Sequence, residues 1–230
     1  MKGLYLILDL STVFFPLVLS FDKRVHFFRH WKATLLATLL VGIPFIIWDV
    51  IFTHRGYWGF NEDYLIGWEL FELPIEEILF FFVIPFACVF IYACVKHYFA
   101  KWQFMNFNFL IYLGVFALMS FIIWQENVGW YSVSVCGLTF VSLLYIGRKR
   151  KEYPFLPLTF LISLLPFLVV NGILTGSFID APIVWYSEEQ FSSIRLFTIP
   201  IEDILYSWNL IALNCLIFDW IGKGPDPSEK

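Results

Sequence analysis

Apolar residues run along this chain in long blocks separated by short polar stretches. The blocks fall at roughly 4–21, 33–52, 72–95, 107–125, 130–147, 155–174 and 197–221. A helix that crosses a bilayer needs about 20 largely apolar residues. The pattern therefore predicts an all-α fold, a polytopic membrane helix bundle of about seven transmembrane helices.

Two blocks open on nearly the same phrase. Residues 71–81 read "FELPIEEILFF" and residues 197–207 read "FTIPIEDILYS", which aligns Pro74 with Pro200, Glu76 with Glu202 and Glu77 with Asp203. Upstream, the second block closes on "IWDV" and the sixth on "VNGI", setting Asp49 opposite Asn171. The phrases predict a parallel internal three-helix repeat. Spans one to three occupy residues 1–95, a linking fourth span lies in 96–129, spans five to seven occupy 130–222, and residues 223–230 form a cytoplasmic tail.

Composition agrees with the block pattern. Hydrophobic residues make up 60% of the 230, aromatics 21% and charged residues only 15%, against about 25% charged in soluble domains. The first block lacks a basic leader and a small-residue cleavage site, so it is expected to remain as a span. Lys23, Arg24, Arg29, Lys32, Lys96, Lys101, Arg148 to Lys151, Lys223 and Lys230 fall on one side of the predicted spans. Of the 15 Lys and Arg, only Lys2, Arg55 and Arg195 fall on the other. The positive-inside rule then puts the N-terminus outside and the C-terminus in the cytoplasm. No basic stripe with interleaved aromatics points to nucleic acid. Cys88, Cys94, Cys136 and Cys215 lie within spans at no metal-ligand spacing and read as buried thiols.

This topology brings Asp49, Asn171, Glu76, Glu77, Glu202 and Asp203 to one depth in the outer part of the bilayer. Acids in a first helical turn complement the helix dipole, and that alone explains one of them. Ionised residues cost roughly 2.5–3.5 kcal/mol each at mid-membrane and less near the surface, so five acids at one depth argue for a cluster facing the bundle interior. Adjacent carboxyls in an apolar site cannot all ionise. One that keeps its proton can act as a general acid, and an ionised neighbour can accept a proton or stabilise a cation.

Aromatic faces add about 0.5–2 kcal/mol of cation stabilisation each. The rings placed to do so are Trp48, Phe80, Phe81, Tyr206 and Trp208, with Glu202, Tyr206 and Asn209 expected as one polar stripe. The loop "FTHRGYWGFNEDYLIGW" reads either as an interfacial aromatic anchor or as a lid that turns at Gly56, Gly59 and Gly67. His54 is expected to be solvated, and Asp9 to hydrogen-bond within the bundle.

Residues 45–92, "FIIWDVIFTHRGYWGFNEDYLIGWELFELPIEEILFFFVIPFACVFIY", resemble the first half of the membrane-integral, heterodimer-type lycopene cyclases. The segments "LPFLVVNGILTG" and "FTIPIEDILYSWNL" resemble the second half. In that family the halves occur as two small polypeptides or joined in one chain, and this sequence resembles the joined form. The resemblance implies a redox-neutral cyclisation of lycopene ends, giving β-rings, without cofactor or metal. A terminal double bond is protonated, the neighbouring alkene attacks, and a proton is lost. It assigns the chemistry to Glu76, Glu77, Glu202 and Asp203, supported by Asp49 and Asn171. It leaves open which carboxyl donates and which accepts. The implied setting is a bacterial plasma membrane, with lycopene, the lipid bilayer and other carotenoid-pathway enzymes as partners. A proton- or cation-coupled transporter is the alternative from another class. It would favour carboxylates near the midplane at broken helices, whereas these acids sit near helix starts and the spans are read as having no mid-span Gly or Pro breaks at matching positions.

Overall fold

The computed structural model describes residues 1–100, 109–125, 128–149 and 153–222. The expected tail at 223–230 and the basic residues Lys101, Arg150 and Lys151 lie outside them. Among the described residues seven α-helices form the bundle: α1 (Leu4–Leu19), α2 (Trp31–His54), α3 (Ile75–Tyr98), α4 (Phe109–Ile123), α5 (Trp130–Arg148), α6 (Leu156–Leu174) and α7 (Ile201–Gly222). Five are long and apolar enough to cross a membrane, namely α2, α3, α5, α6 and α7. The chain is an all-α membrane bundle. The shorter α1 has 16 residues, about 24 Å at 1.5 Å per residue, which falls short of the ~30 Å hydrocarbon core.

The repeat organises the packing. At the centre α3 and α7 touch, α1 lies along α3, and α5 lies correspondingly along α7. The second helix of each unit, α2 or α6, packs against both central helices, while α4 sits outside the repeat against α5 and α7. Contrary to the sequence reading, two mid-span prolines do stand at matching positions, Pro44 and Pro166, but each lies inside a helix that continues past it.

One end of the bundle carries the N-terminus and the two long connections. Sequence reading expected helices from residues 72 and 197, but both residues lie in the turns of short β-hairpins. A hairpin of β2 (Glu69–Leu70) and β3 (Leu73–Pro74) precedes α3. A second, of β5 (Arg195–Leu196) and β6 (Ile199–Pro200), precedes α7. Proline has no N–H to donate, so it can close the strand, and Pro74 is the N-cap of α3 rather than a residue of its first turn. The acidic pairs therefore sit in the first turns of α3 and α7.

A third ribbon joins the two units across the top. Strand β1 (Trp58–Phe60) runs antiparallel to β4 (Val184–Tyr186), with Gly59 opposite Trp185. A Cβ on Gly59 would collide with Trp185 Cζ2, so glycine is what lets the indole lie against the strand. Gly56 and Gly67 turn the same connection with φ of 70° and 95°.

Among the described residues, the opposite end is held by rings and an ion pair. Phe27 meets Phe86 and Phe90 edge to face. Asp219 accepts from the Tyr92 hydroxyl at 2.7 Å and from Lys96 Nζ at 2.8 Å.

Candidate active site

The two units build their acidic pairs in the same way. Tyr5 on α1 donates its hydroxyl to Glu77 Oε2 at 2.6 Å, across 72 residues of sequence. Tyr131 on α5 donates to Asp203 Oδ1 at 2.6 Å, across the same 72. The first acid of each pair binds a loop backbone. Ile66 N–H donates to Glu76 Oε1 at 2.7 Å, ten residues upstream, and Ser192 N–H donates to Glu202 Oε1 at 2.7 Å, again ten upstream. Ser132 Oγ adds a second bond to Glu202 Oε1.

Adjacent residues on a helix point about 100° apart, and each doublet uses both directions. Glu76 and Glu202 turn toward the loops and α5, where they fasten the connections. Glu77 and Asp203 turn inward and line a common cavity of about 620 Å³ with Asp49 and Asn171. Sequence reading grouped all four acids as one catalytic set, whereas the structure divides them by direction.

Asp49 and Glu77 border the cavity together, and Asp49 Oδ2 is buried without a hydrogen-bond partner among the described residues. Asp49 Oδ1 accepts from the Trp58 indole N–H and, at 3.4 Å, from Thr53 Oγ1. Asp203 is surrounded differently. Tyr131 donates to Oδ1, while Asn171 Nδ2 and the Tyr186 hydroxyl each donate to Oδ2 at 2.9 Å. Three donors on one carboxyl suit an ionised acceptor. Burial, reinforced by the Asp203 charge, pushes the Tyr186 hydroxyl well above its ordinary pKa, so Tyr186 remains a donor.

Below the polar end the cavity is greasy. It follows α3 from Glu77 to Ile91, about 21 Å at 1.5 Å per residue. Phe15, Ile84, Phe90, Phe167 and Ile211 are among its apolar lining. A volume of this size falls within the range of small-molecule sites, and the apolar wall suits a hydrocarbon.

Of the aromatics singled out from sequence, Phe80 and Tyr206 line the cavity. Trp48, Phe81 and Trp208 do not. Trp48 packs among Phe45, Phe52 and Tyr206. Phe81 turns toward Phe45 of α2. Trp208 lies against Tyr112 and Phe160, with its indole N–H bonded to Ser142. Asn209 is bonded to Thr139 and Ser142 on α5, so the stripe expected with Tyr206 is split between two faces.

Asp9 is fully buried, yet neither of its oxygens has a hydrogen-bond partner among the described residues, contrary to expectation. His54 is exposed and lies 3.0 Å from Glu72. Sequence reading missed Tyr5, Trp58, Tyr131 and Tyr186. The first and third had a signal, because "Gly3-Leu4-Tyr5" and "Gly129-Trp130-Tyr131" open corresponding helices.

A family model described as lycopene cyclase matches residues 2–95 and again residues 128–221. The chain belongs to the lycopene cyclase family. The two matched segments stand in the same register as the paired bonds above, so Glu77 with Tyr5 and Asp203 with Tyr131 fall at equivalent points of one repeated unit. No curated protein and no solved structure matches the chain. The family makes this an integral membrane enzyme that cyclises lycopene, a lipophilic carotenoid.

Proposed function

We propose that this lycopene cyclase forms β-rings by proton transfer among the carboxyls at the polar end of the cavity. One linear end of lycopene enters with its tip beside Glu77, and the polyene lies along the apolar wall. A proton carried by the Glu77 carboxyl, with Asp49 beside it, passes to the terminal double bond, leaving a tertiary cation. The next suitably placed alkene attacks that cation and closes a six-membered ring, which moves the positive charge onto the ring. Loss of a ring proton to a carboxylate of the cluster regenerates an alkene. No electrons are gained or lost overall, and the proton returns between carboxyls of the same cluster.

Asp203, with its three donors, holds negative charge opposite the developing cation, and the Phe80 and Tyr206 rings face the same space. The observation that carries this reading is the convergence of Glu77, Asp49, Asp203 and Asn171 on one end of a largely apolar cavity. β- rather than ε-rings follow from the resemblance to the joined heterodimer-type cyclases. The distribution of Lys and Arg supports a plasma-membrane orientation with the N-terminus outside.

The test is expression in lycopene-accumulating cells with chromatography of the extracted pigment. The parent chain should give β-ring carotenes, while Glu77→Gln and Asp203→Asn should each slow ring formation at least about 100-fold, the lower range for general acid–base groups. Ring formation at the parental rate in Glu77→Gln would remove the assigned acid.

A further inference from the structure

Resting on the cyclase reading, the repeat poses a question of number. A duplicated fold should offer two equivalent chambers, yet Glu77 and Asp203 open onto one. The aligned phrases supply the counterparts of the chamber wall. Phe80, Phe167, Val170 and Leu174 line the cavity, and they correspond to Tyr206, Phe45, Trp48 and Phe52.

Those counterparts lie between α2 and α7, where Tyr206 borders the open chamber as well, and they close on one another. Ring centroids stand 5.6 Å apart for Phe45 and Trp48, 5.4 Å for Trp48 and Tyr206, 5.2 Å for Phe45 and Tyr206, and 5.8 Å for Trp48 and Phe52. The largest exchange is tryptophan for valine, Trp48 where the open chamber has Val170. The Trp48 indole N–H is buried without a hydrogen-bond partner among the described residues. Buried tryptophans ordinarily satisfy that group, so the position holds tryptophan for its bulk.

We propose that Trp48 plugs the symmetry mate of the cavity and so limits the chain to one chamber and one ring per substrate visit. A molecule cyclised at one end has its other end about 21 Å or more from the carboxyls, by the helical rise along α3. It must leave, reverse and re-enter before the second ring can form. The monocyclic carotene is then a released intermediate that competes with fresh lycopene.

Two measurements test this. Purified full-length protein in liposomes is given lycopene, then chased with a large excess of deuterated lycopene. Free monocyclic product should appear before bicyclic, and the chase should suppress conversion of the unlabelled monocycle. Product that stops at the monocycle is the same result at its limit. Unlabelled bicyclic carotene forming undiminished through the chase overturns one ring per visit.

The second measurement counts lycopene bound per chain without turnover, in a Glu77→Gln background. One molecule is expected with Trp48, and more than one with Trp48→Val. Two bound with Trp48 present, or a count unchanged by Trp48→Val in protein of unaltered melting temperature, overturns the plug. Should Trp48→Val not fold, Trp48→Phe and the parental count still decide. Failure to form any ring would count against the proposed reaction and leave the stoichiometry readable.

Discussion

Within each acidic pair, one residue ties down a loop and its neighbour faces the cavity. Glu76 and Glu202 are fully buried, and each accepts from a loop amide, joined at Glu202 by the Ser132 hydroxyl. A glutamine at either position keeps a carbonyl oxygen for that amide, so Glu76→Gln and Glu202→Gln should retain ring formation within severalfold of the parent. Alanine removes the acceptor and should cost about 1.5–3 kcal/mol of stability, the range for hydrogen bonds to charged groups, measured by thermal melting in detergent. Loss of activity in Glu76→Gln equal to that in Glu77→Gln would contradict the division. The acids themselves were legible in the sequence, because a charged residue inside an apolar block is costly. Their separate directions were not, since neighbouring residues differ by a rotation that only packing fixes. Tyr5 and Tyr131 were hidden by abundance in a chain with 11 tyrosines.

The helices were readable from the length of the apolar blocks, whereas the ribbons that aim the acids were not. β2, β3, β5 and β6 span two residues each, too short for alternation to register. Phe71 and Glu72 turn the first hairpin with φ of 55° and 66°, values that turn signals assign to Asn and Gly rather than to Phe. Backbone proximity also fixes where α5 begins. Gly129 is its N-cap, and a Cβ there would collide with the main chain of Gln190. Main-chain atoms cannot swing aside as a side chain can, so Gly129→Ala should destabilise the protein by about 1–3 kcal/mol, as overpacking does. Gly137, in the same helix, has nothing within 4 Å of the point where a Cβ would stand. Gly137→Ala should therefore be neutral or stabilising by up to about 1 kcal/mol, and melting temperatures of the two variants give the comparison.

For the whole molecule, duplication places half of the site on each unit. Asp49, Glu77 and Tyr5 come from the first matched segment and Asn171, Asp203, Tyr131 and Tyr186 from the second. The connection between them falls outside both matched segments, and none of its described residues lines the cavity. What joins the units is the packing of α2 on α7, α6 on α3, and α3 on α7, together with the β1–β4 ribbon. A break in the connection between α3 and α4 therefore leaves every contact of the site in place. Residues 1–100 and 101–230 expressed together should form rings from lycopene, at a rate lowered only by the need to find each other in the membrane. Either piece alone should form none, because Asp49 and Glu77 on one piece and the triply bonded Asp203 on the other then never face one cavity. Pigment chromatography separates the cases, and ring formation by residues 1–100 alone would show that Asp203 is dispensable.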